Sequence, residues 1–258
     1  MNPEDHYILV ITAVASEMQD VMDCLESGRD RMIGNRSIRC GRISGIPVRL
    51  IVTGPGMGNT IQGITACVEN ARPDLMIQTG CGGGFRQSGV DIGDVVVAAS
   101  EVDIHLGIES DETSKVLQDL PFSVFSRNGT DFKGLYPLNA EMAEKAFLAL
   151  QHAYAPQSIG VFKGLFITGS TITGNEQRAN ALYSAFSPCI ESMEGSGAAF
   201  LSHYYQIPLI EIRCASNFVG RRDRSKWSLS LACSRAGESA VIVLRSSALK
   251  QTTRLQDM

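Results

Sequence analysis

A surplus of positive charge is missing from this sequence. Its 23 Lys and Arg stand against 27 Asp and Glu, a net charge of -4, the wrong sign for a protein that holds nucleic acid by its phosphates. No apolar run approaches the roughly 18–20 residues of a membrane span. The acidic start, Met1 to His6, lacks the basic lead of a secretion signal. No CxxC pair occurs. The seven cysteines (24, 40, 67, 81, 189, 214, 233) are odd in number and scattered, which fits reduced thiols in a cytoplasmic protein and not a disulfide framework. The four histidines are far apart and there is no HExxH, so no metal site is expected. GxGxxG and the P-loop GK[ST] are both absent, and nothing else in the sequence asks for a cofactor. With no linker or low-complexity stretch to divide them, the 258 residues read as a single domain, 1–258.

What is plentiful is glycine, 25 residues against 9 prolines, within a chain that is 44% apolar. That composition excludes a disordered protein and leaves glycines to mark close approaches of backbone. Short apolar runs bounded by turn residues alternate with helical patterns. Strands are predicted at 8–14, 38–44, 48–52, 75–79, 95–99, 161–168, 189–193 and 209–214. Helices are predicted at 17–25 (with Ser16 as N-cap), 59–71, 140–151, 176–186, 195–205 and 228–249. The polar stretch 105–135 reads as a loop excursion and a candidate lid. Alternation of this kind implies an α/β sheet covered on both faces.

Several segments carry groups that could do chemistry, and each has a plain structural alternative. Gly80-Cys81-Gly82-Gly83-Gly84, after a strand, could form a tight turn or let a ligand lie against backbone in an open-sheet crevice. Glu17 could be a general base or a first-turn acid favoured by the helix dipole. Cys81 could be a nucleophile or a small buried thiol. Glu194 and its glycines 195 and 197 join a strand end to a helix where helix propensity argues against glycine. Arg213 to Trp227 puts polar groups at a strand end, followed by a basic run that is either a solvated face or an ordered loop.

In this order, the strand leading to Glu17, Thr79-Gly80-Cys81-Gly82-Gly83, Ser192-Met193-Glu194-Gly195 and Arg213-Cys214-Ala215-Ser216-Asn217 resemble the nucleoside phosphorylase and nucleosidase superfamily over nearly the whole chain. Lys163-Gly164-Leu165-Phe166, Thr171-Ile172-Thr173-Gly174 and above all Ser216 to Trp227 are similar to its futalosine hydrolase branch. The resemblance implies a three-layer α/β/α sandwich with a mixed central sheet. It also implies a homo-oligomer without a cofactor, which cleaves the N-ribosidic bond of a nucleoside bearing a carboxylate chain and releases hypoxanthine on the route to menaquinone. It assigns Glu17 to water activation and Asn217 to the leaving base. To substrate binding it assigns Cys81, Gly82, Gly83, Ile172, Met193, Glu194, Arg213, Ser216, Arg222 and Arg224. A partner for the carboxylate could come from Arg222, Arg224 or Lys226, since arginine presents a planar fork matched to carboxylates. Asn217, with an NH2 donor and a carbonyl acceptor, implies a 6-oxopurine. The alternatives are a methylthioadenosine/S-adenosylhomocysteine-type nucleosidase, a purine nucleoside phosphorylase and a non-catalytic nucleoside-binding protein.

Overall fold

The structure, a computed structural model, describes residues 6–108 and 118–246. Period-two alternation of apolar side chains builds its two main cores. In β1 (Ile8–Thr12), Ile8 and Val10 enter one cluster while Leu9 and Ile11 enter another, on the opposite face. β6 (Val95–Asp103) repeats the division, with Val95 and Val97 on one side and Val96 and Ala98 on the other. Strands buried on both faces must be apolar throughout, which is why these runs stand out in the sequence.

Helices α1 (Ala15–Asp23), α3 (Ala140–Tyr154) and α6 (Leu229–Arg245) cover the first face through residues such as Val21, Ala146 and Ala240. α2 (Met57–Asn70) and α5 (Gly195–Tyr205) cover the second through Ile64, Cys67, Ala198 and Ala199. α4 (Glu176–Phe186) packs Ala179 and Leu182 into a smaller cluster with Phe85 and Ile167. The result is the expected α/β/α sandwich. None of these helices, nor any other among the described residues, is long and apolar enough to cross a membrane.

The remaining sheet strands are β2 (Glu26–Ile33), β3 (Arg36–Ile43), β4 (Ile46–Val52), β5 (Leu75–Gly84), β9 (Leu135–Pro137), β10 (Val161–Thr168), β11 (Ile190–Ser192) and β12 (Leu209–Phe218). Their order is β11-β10-β6-β12-β5-β1-β4-β3-β2, with β9 on β6. The sheet is mixed: β1 runs parallel to β4 and β5, while β12 runs antiparallel to β6. β11 also pairs with β5, Ile190 opposite Gly84 and Glu191 opposite Gly83, so five strands close on themselves at one end.

That closure corrects two expectations. The glycines after Thr79 are not a turn, because β5 continues through them to Gly84. β12 likewise runs on to Phe218, so Arg213 lies in mid-strand and not at its end. β2 had no apolar signature to find, since Glu26–Ile33 is an edge strand exposed along most of its length. Of the candidate lid, residues 109–117 lie outside the described residues. Within the rest, β7 (Phe125–Arg127) and β8 (Thr130–Phe132) form a hairpin whose Phe125 packs on Phe200 of α5 and whose Phe132 packs on His203.

Candidate active site

The strand ends of β1, β5, β11 and β12 surround a cavity of about 250 Å³. Glu17 sits at its inner end and shows how local sequence builds the site. α1 does not begin at Ser16. Its N-cap is Val14, which has no side-chain oxygen to offer the free helix amides. Glu17, in the first turn, reaches back instead. Its Oε2 accepts from the Ala13 and Val14 amides at 3.0 and 3.1 Å, and its Oε1 accepts from the Cys81 amide at 2.9 Å. Three backbone donors thus fix a carboxylate that is only 2% exposed and still borders the cavity. A Cβ at position 80 would lie 2.7 Å from Glu17 Oε1, so Gly80 is what lets β5 pass beneath it.

A second carboxylate, Glu194, is held across the cavity. Its Oε1 accepts from the Gly56 amide at 2.9 Å and its Oε2 from the Met193 amide at 3.3 Å. Arg213 supports it from below, with Nη1 3.2 Å from Glu194 Oε2 and Nε 3.0 Å from Glu211 Oε1. Burial opposes the guanidinium charge, but the flanking Glu211 and Glu194 carboxylates outweigh it and hold Arg213 protonated. Arg213 does not border the cavity, so its assignment as a ligand contact is corrected: it is a positioning residue for Glu194. Beneath lies Glu101, whose carboxyl burial and the neighbouring Glu211 charge push well above its ordinary range. Its Oε2 accepts from the Thr168 hydroxyl at 2.8 Å. Glu101 Oε1 and Glu211 Oε2 find no other donor, and a proton held on Glu101 and shared with Glu211 supplies one. A Cβ at Gly195 would overlap Glu101, so glycine at the start of α5 makes room for this pair.

Most of the other expected residues converge. Cys81, Gly82, Gly83, Ile172, Met193, Ser216, Asn217 and Arg222 all border the cavity. Asn217 is less free than its proposed role asks. Its Oδ1 accepts from the Ser216 hydroxyl at 2.8 Å and its Nδ2 donates to the Phe218 carbonyl at 3.0 Å, which leaves each atom one further hydrogen-bonding position. Arg224 is a correction. It lies outside the cavity, beside a separate depression formed with Leu229 and Leu231. The basic run is an ordered loop, since Asp223 Oδ1 accepts from the Ser225 amide and Lys226, not Arg224, pairs with Asp223 at 3.5 Å.

Sequence reading missed Glu191 and Arg86. Glu191 borders the cavity, its Oε1 accepting from the Thr173 amide at 2.9 Å, and burial raises its carboxyl despite that donor. Its place two residues before Met193 on a short strand was the available signal. Arg86 lies over the Phe218 ring at 3.5 Å. With Arg221, Arg222 and Lys226 it rims a polar hollow of about 870 Å³, which also holds Glu176 and Asp223 and meets the cavity at Val219, Arg222 and Trp227.

A deep carboxylate-lined cavity at strand ends, in a mixed sheet that closes on itself, is matched by known proteins. Residues 7–246 match the phosphorylase superfamily. The chain belongs to that superfamily. One curated relative, the 5'-methylthioadenosine/S-adenosylhomocysteine nucleosidase of Bacillus thuringiensis (strain Al Hakam), is 28% identical over 217 residues, covering 83% of this chain and 87% of the relative. Among solved structures, the nucleosidase of the same name from Neisseria meningitidis in complex with methylthio-immucillin-A superposes with a TM-score of 0.77 at 18% identity. It spans 93% of this chain and 99% of its own. A mutant protein from Helicobacter pylori, with 5'-methylthioadenosine in its active site, gives 0.78 at 15% identity, over 92% and 97%. These superpositions show that the phosphorylase-superfamily fold extends over nearly the whole chain.

Proposed function

We propose that this phosphorylase-superfamily chain is a nucleosidase, an N-ribosyl hydrolase of a purine nucleoside, with Glu17 as the group that aligns and deprotonates water. One observation carries the choice of water over phosphate. Glu17, Glu191 and Glu194 all border the cavity, and among its described lining residues the one cation is Arg222, beside Trp227. An anionic phosphate nucleophile meets like charge at the inner end, whereas water does not. Cleavage builds positive charge on the ribose, which the same carboxylates stabilise. Water oxygen bonds to the anomeric carbon as the bond to the base breaks. Glu17 takes the water proton and the bonding electrons leave with the base. Glu194 accepts from ribose hydroxyls, Met193 packs on the sugar, and Asn217 bonds the departing purine.

At the finer level, the curated relatives support a 5'-thioadenosine substrate more strongly than any other. A second reading, the futalosine type, has support within this chain. Asn217 can donate to O6 of hypoxanthine, and the hollow rimmed by Arg86, Arg221, Arg222 and Lys226 suits a carboxylate tail. Its products would be hypoxanthine and dehypoxanthine futalosine, within menaquinone biosynthesis. We also read the chain as a homo-oligomer, since Ile172 and Leu229 border the cavity yet remain 50% and 45% exposed, as apolar surface a second copy would cover. The test is incubation with methylthioadenosine, inosine and futalosine, with and without phosphate, reading the free base. Release of base without phosphate supports the hydrolase; strict dependence on phosphate overturns it. Adenine from methylthioadenosine or hypoxanthine from futalosine decides between the finer readings.

A further inference from the structure

Three side chains that the proposed hydrolysis does not use together meet behind the cavity. They are the Glu17 carboxylate, on α1, and the thiols of Cys81, on β5, and Cys233, on α6. One ligand atom from each lies within 4.8 Å of the other two. Nothing in the sequence announces this, because the three positions come from distant elements and share no motif spacing. Zinc bonds sulfur at about 2.3 Å and carboxylate oxygen at about 2.0–2.2 Å, so tetrahedral ligand atoms stand roughly 3.5–4 Å apart. Side-chain movement of about an ångström therefore closes the present triangle on an ion.

Charge and access also fit a cation. The guanidinium of Arg213 makes its ion pairs with Glu194 and Glu211, so the hydrogen bonds to the Glu17 carboxylate come from backbone amides and not from a cationic side chain. Glu17 and Cys81 border the cavity, so an ion can enter through it, while Cys233 lies buried behind them. The Ser16 hydroxyl donates to Cys233 Sγ at 3.7 Å, the kind of outer partner that orients a metal ligand. Two sulfurs and one oxygen select a thiophilic divalent cation over magnesium or calcium.

We propose that Glu17, Cys81 and Cys233 form a site for a thiophilic divalent cation of the zinc type, with a fourth coordination position facing the cavity, and that its occupancy stops turnover. Both thiols release their protons to solvent as the ion binds. The effect on turnover rests on the nucleosidase reading, because an ion on Glu17 takes the lone pair that would receive the water proton. The binding does not depend on it.

The reduced, chelator-treated full chain is titrated with Co2+ and then Zn2+. One equivalent of Co2+ is expected to give thiolate-to-metal charge-transfer absorption, which Zn2+ then removes. Cys233→Ser is expected to lose that spectrum and to weaken binding by more than the roughly 10–100-fold that outer-shell losses cost. Cys81→Ser, at a partly exposed position, provides a second variant with the same expectation, and Cys24→Ser should change nothing. Wild-type turnover should fall in step with Zn2+ occupancy and return with chelator, while Cys233→Ser turns over regardless of Zn2+. Absence of the thiolate band, unchanged binding in both serine variants, or full turnover at full occupancy would overturn the proposal. A chain that binds Co2+ through thiolate but hydrolyses no nucleoside keeps the metal site and removes the nucleosidase reading instead.

Discussion

Arg213 Nη1 stands 3.2 Å from Glu194 Oε2, with both side chains withdrawn from solvent. The pair makes the cavity-lining carboxylate of Glu194 depend on a cation that does not itself border the cavity. Removing one partner of a buried ion pair leaves an uncompensated charge, at a cost of about 3–5 kcal/mol. Arg213→Met strands both Glu194 and Glu211, so its urea midpoint should fall accordingly and the KM of any remaining activity should rise. Arg213→Lys should rescue only part of either effect, because an ammonium cannot reproduce the fork that meets two carboxylates. A midpoint unchanged in Arg213→Met would refute this account of the pair.

Glu17→Gln tests water activation. The amide keeps one oxygen for the three backbone donors at Ala13, Val14 and Cys81 and turns an NH2 toward the others. An unsatisfied buried donor costs about 1–3 kcal/mol, a loss readable by denaturation. The larger effect should fall on kcat, by about 10²–10⁴-fold, the usual worth of a positioned base. Base release at the wild-type rate would sink the mechanism.

Glu101 gives the protein a stability that declines with pH. Burial and the Glu211 charge raise its folded-state carboxyl well above the ordinary range, while in the unfolded chain it ionises near about 4.3. Between those values the folded state holds a proton that the unfolded state has released. The contribution is therefore complete below the unfolded value and shrinks as pH rises toward the folded one, by about 1.4 kcal/mol per pH unit. Glu101→Gln keeps a donor for Glu211 and an acceptor for the Thr168 hydroxyl. Its unfolding free energy should fall less steeply than wild type above about pH 5. Parallel pH profiles for the two proteins would show that Glu101 holds no such proton.

The layers of this fold were legible where burial imposed a period. β10, α4 and α5 lie where the sequence placed them, because a mostly apolar run marks the strand and Asn175 and Glu194 stand at the two helix starts. What escaped notice was set by contacts between distant segments. Nothing near Gly84 in sequence says that β11 will pair with it and carry β5 through four glycines. Ser16 looks the better cap until Glu17 is seen to reach back over Val14. Arg213 reads as a strand-end ligand group, yet its partner Glu211 stands two residues away on the same face of β12, a spacing that already favoured an internal pair. Cys81 and Cys233 are separated by most of the chain and meet only through the packing of α6 on β5.

Arg222 and Arg224 separate the two substrate readings. Both guanidiniums lie over the Trp227 ring, at 4.8 and 5.9 Å from its centroid, but only Arg222 borders both the cavity and the basic hollow. A hydrogen bond to a charged group is worth about 1.5–3 kcal/mol. If a carboxylate tail runs from the cavity into the hollow, Arg222→Met should raise KM for futalosine by about 10–100-fold. Its KM for inosine, which has no tail, should stay as it was, and so should kcat. Arg222→Lys should recover part of the loss, since a point charge replaces a planar fork. Arg224→Met should leave every constant unchanged. Methylthioadenosine carries no carboxylate, so Arg222→Met should leave its KM at the wild-type value. Equal KM for futalosine in wild type and Arg222→Met would remove Arg222 as the carboxylate partner, and the hollow would lose its strongest claim on the substrate.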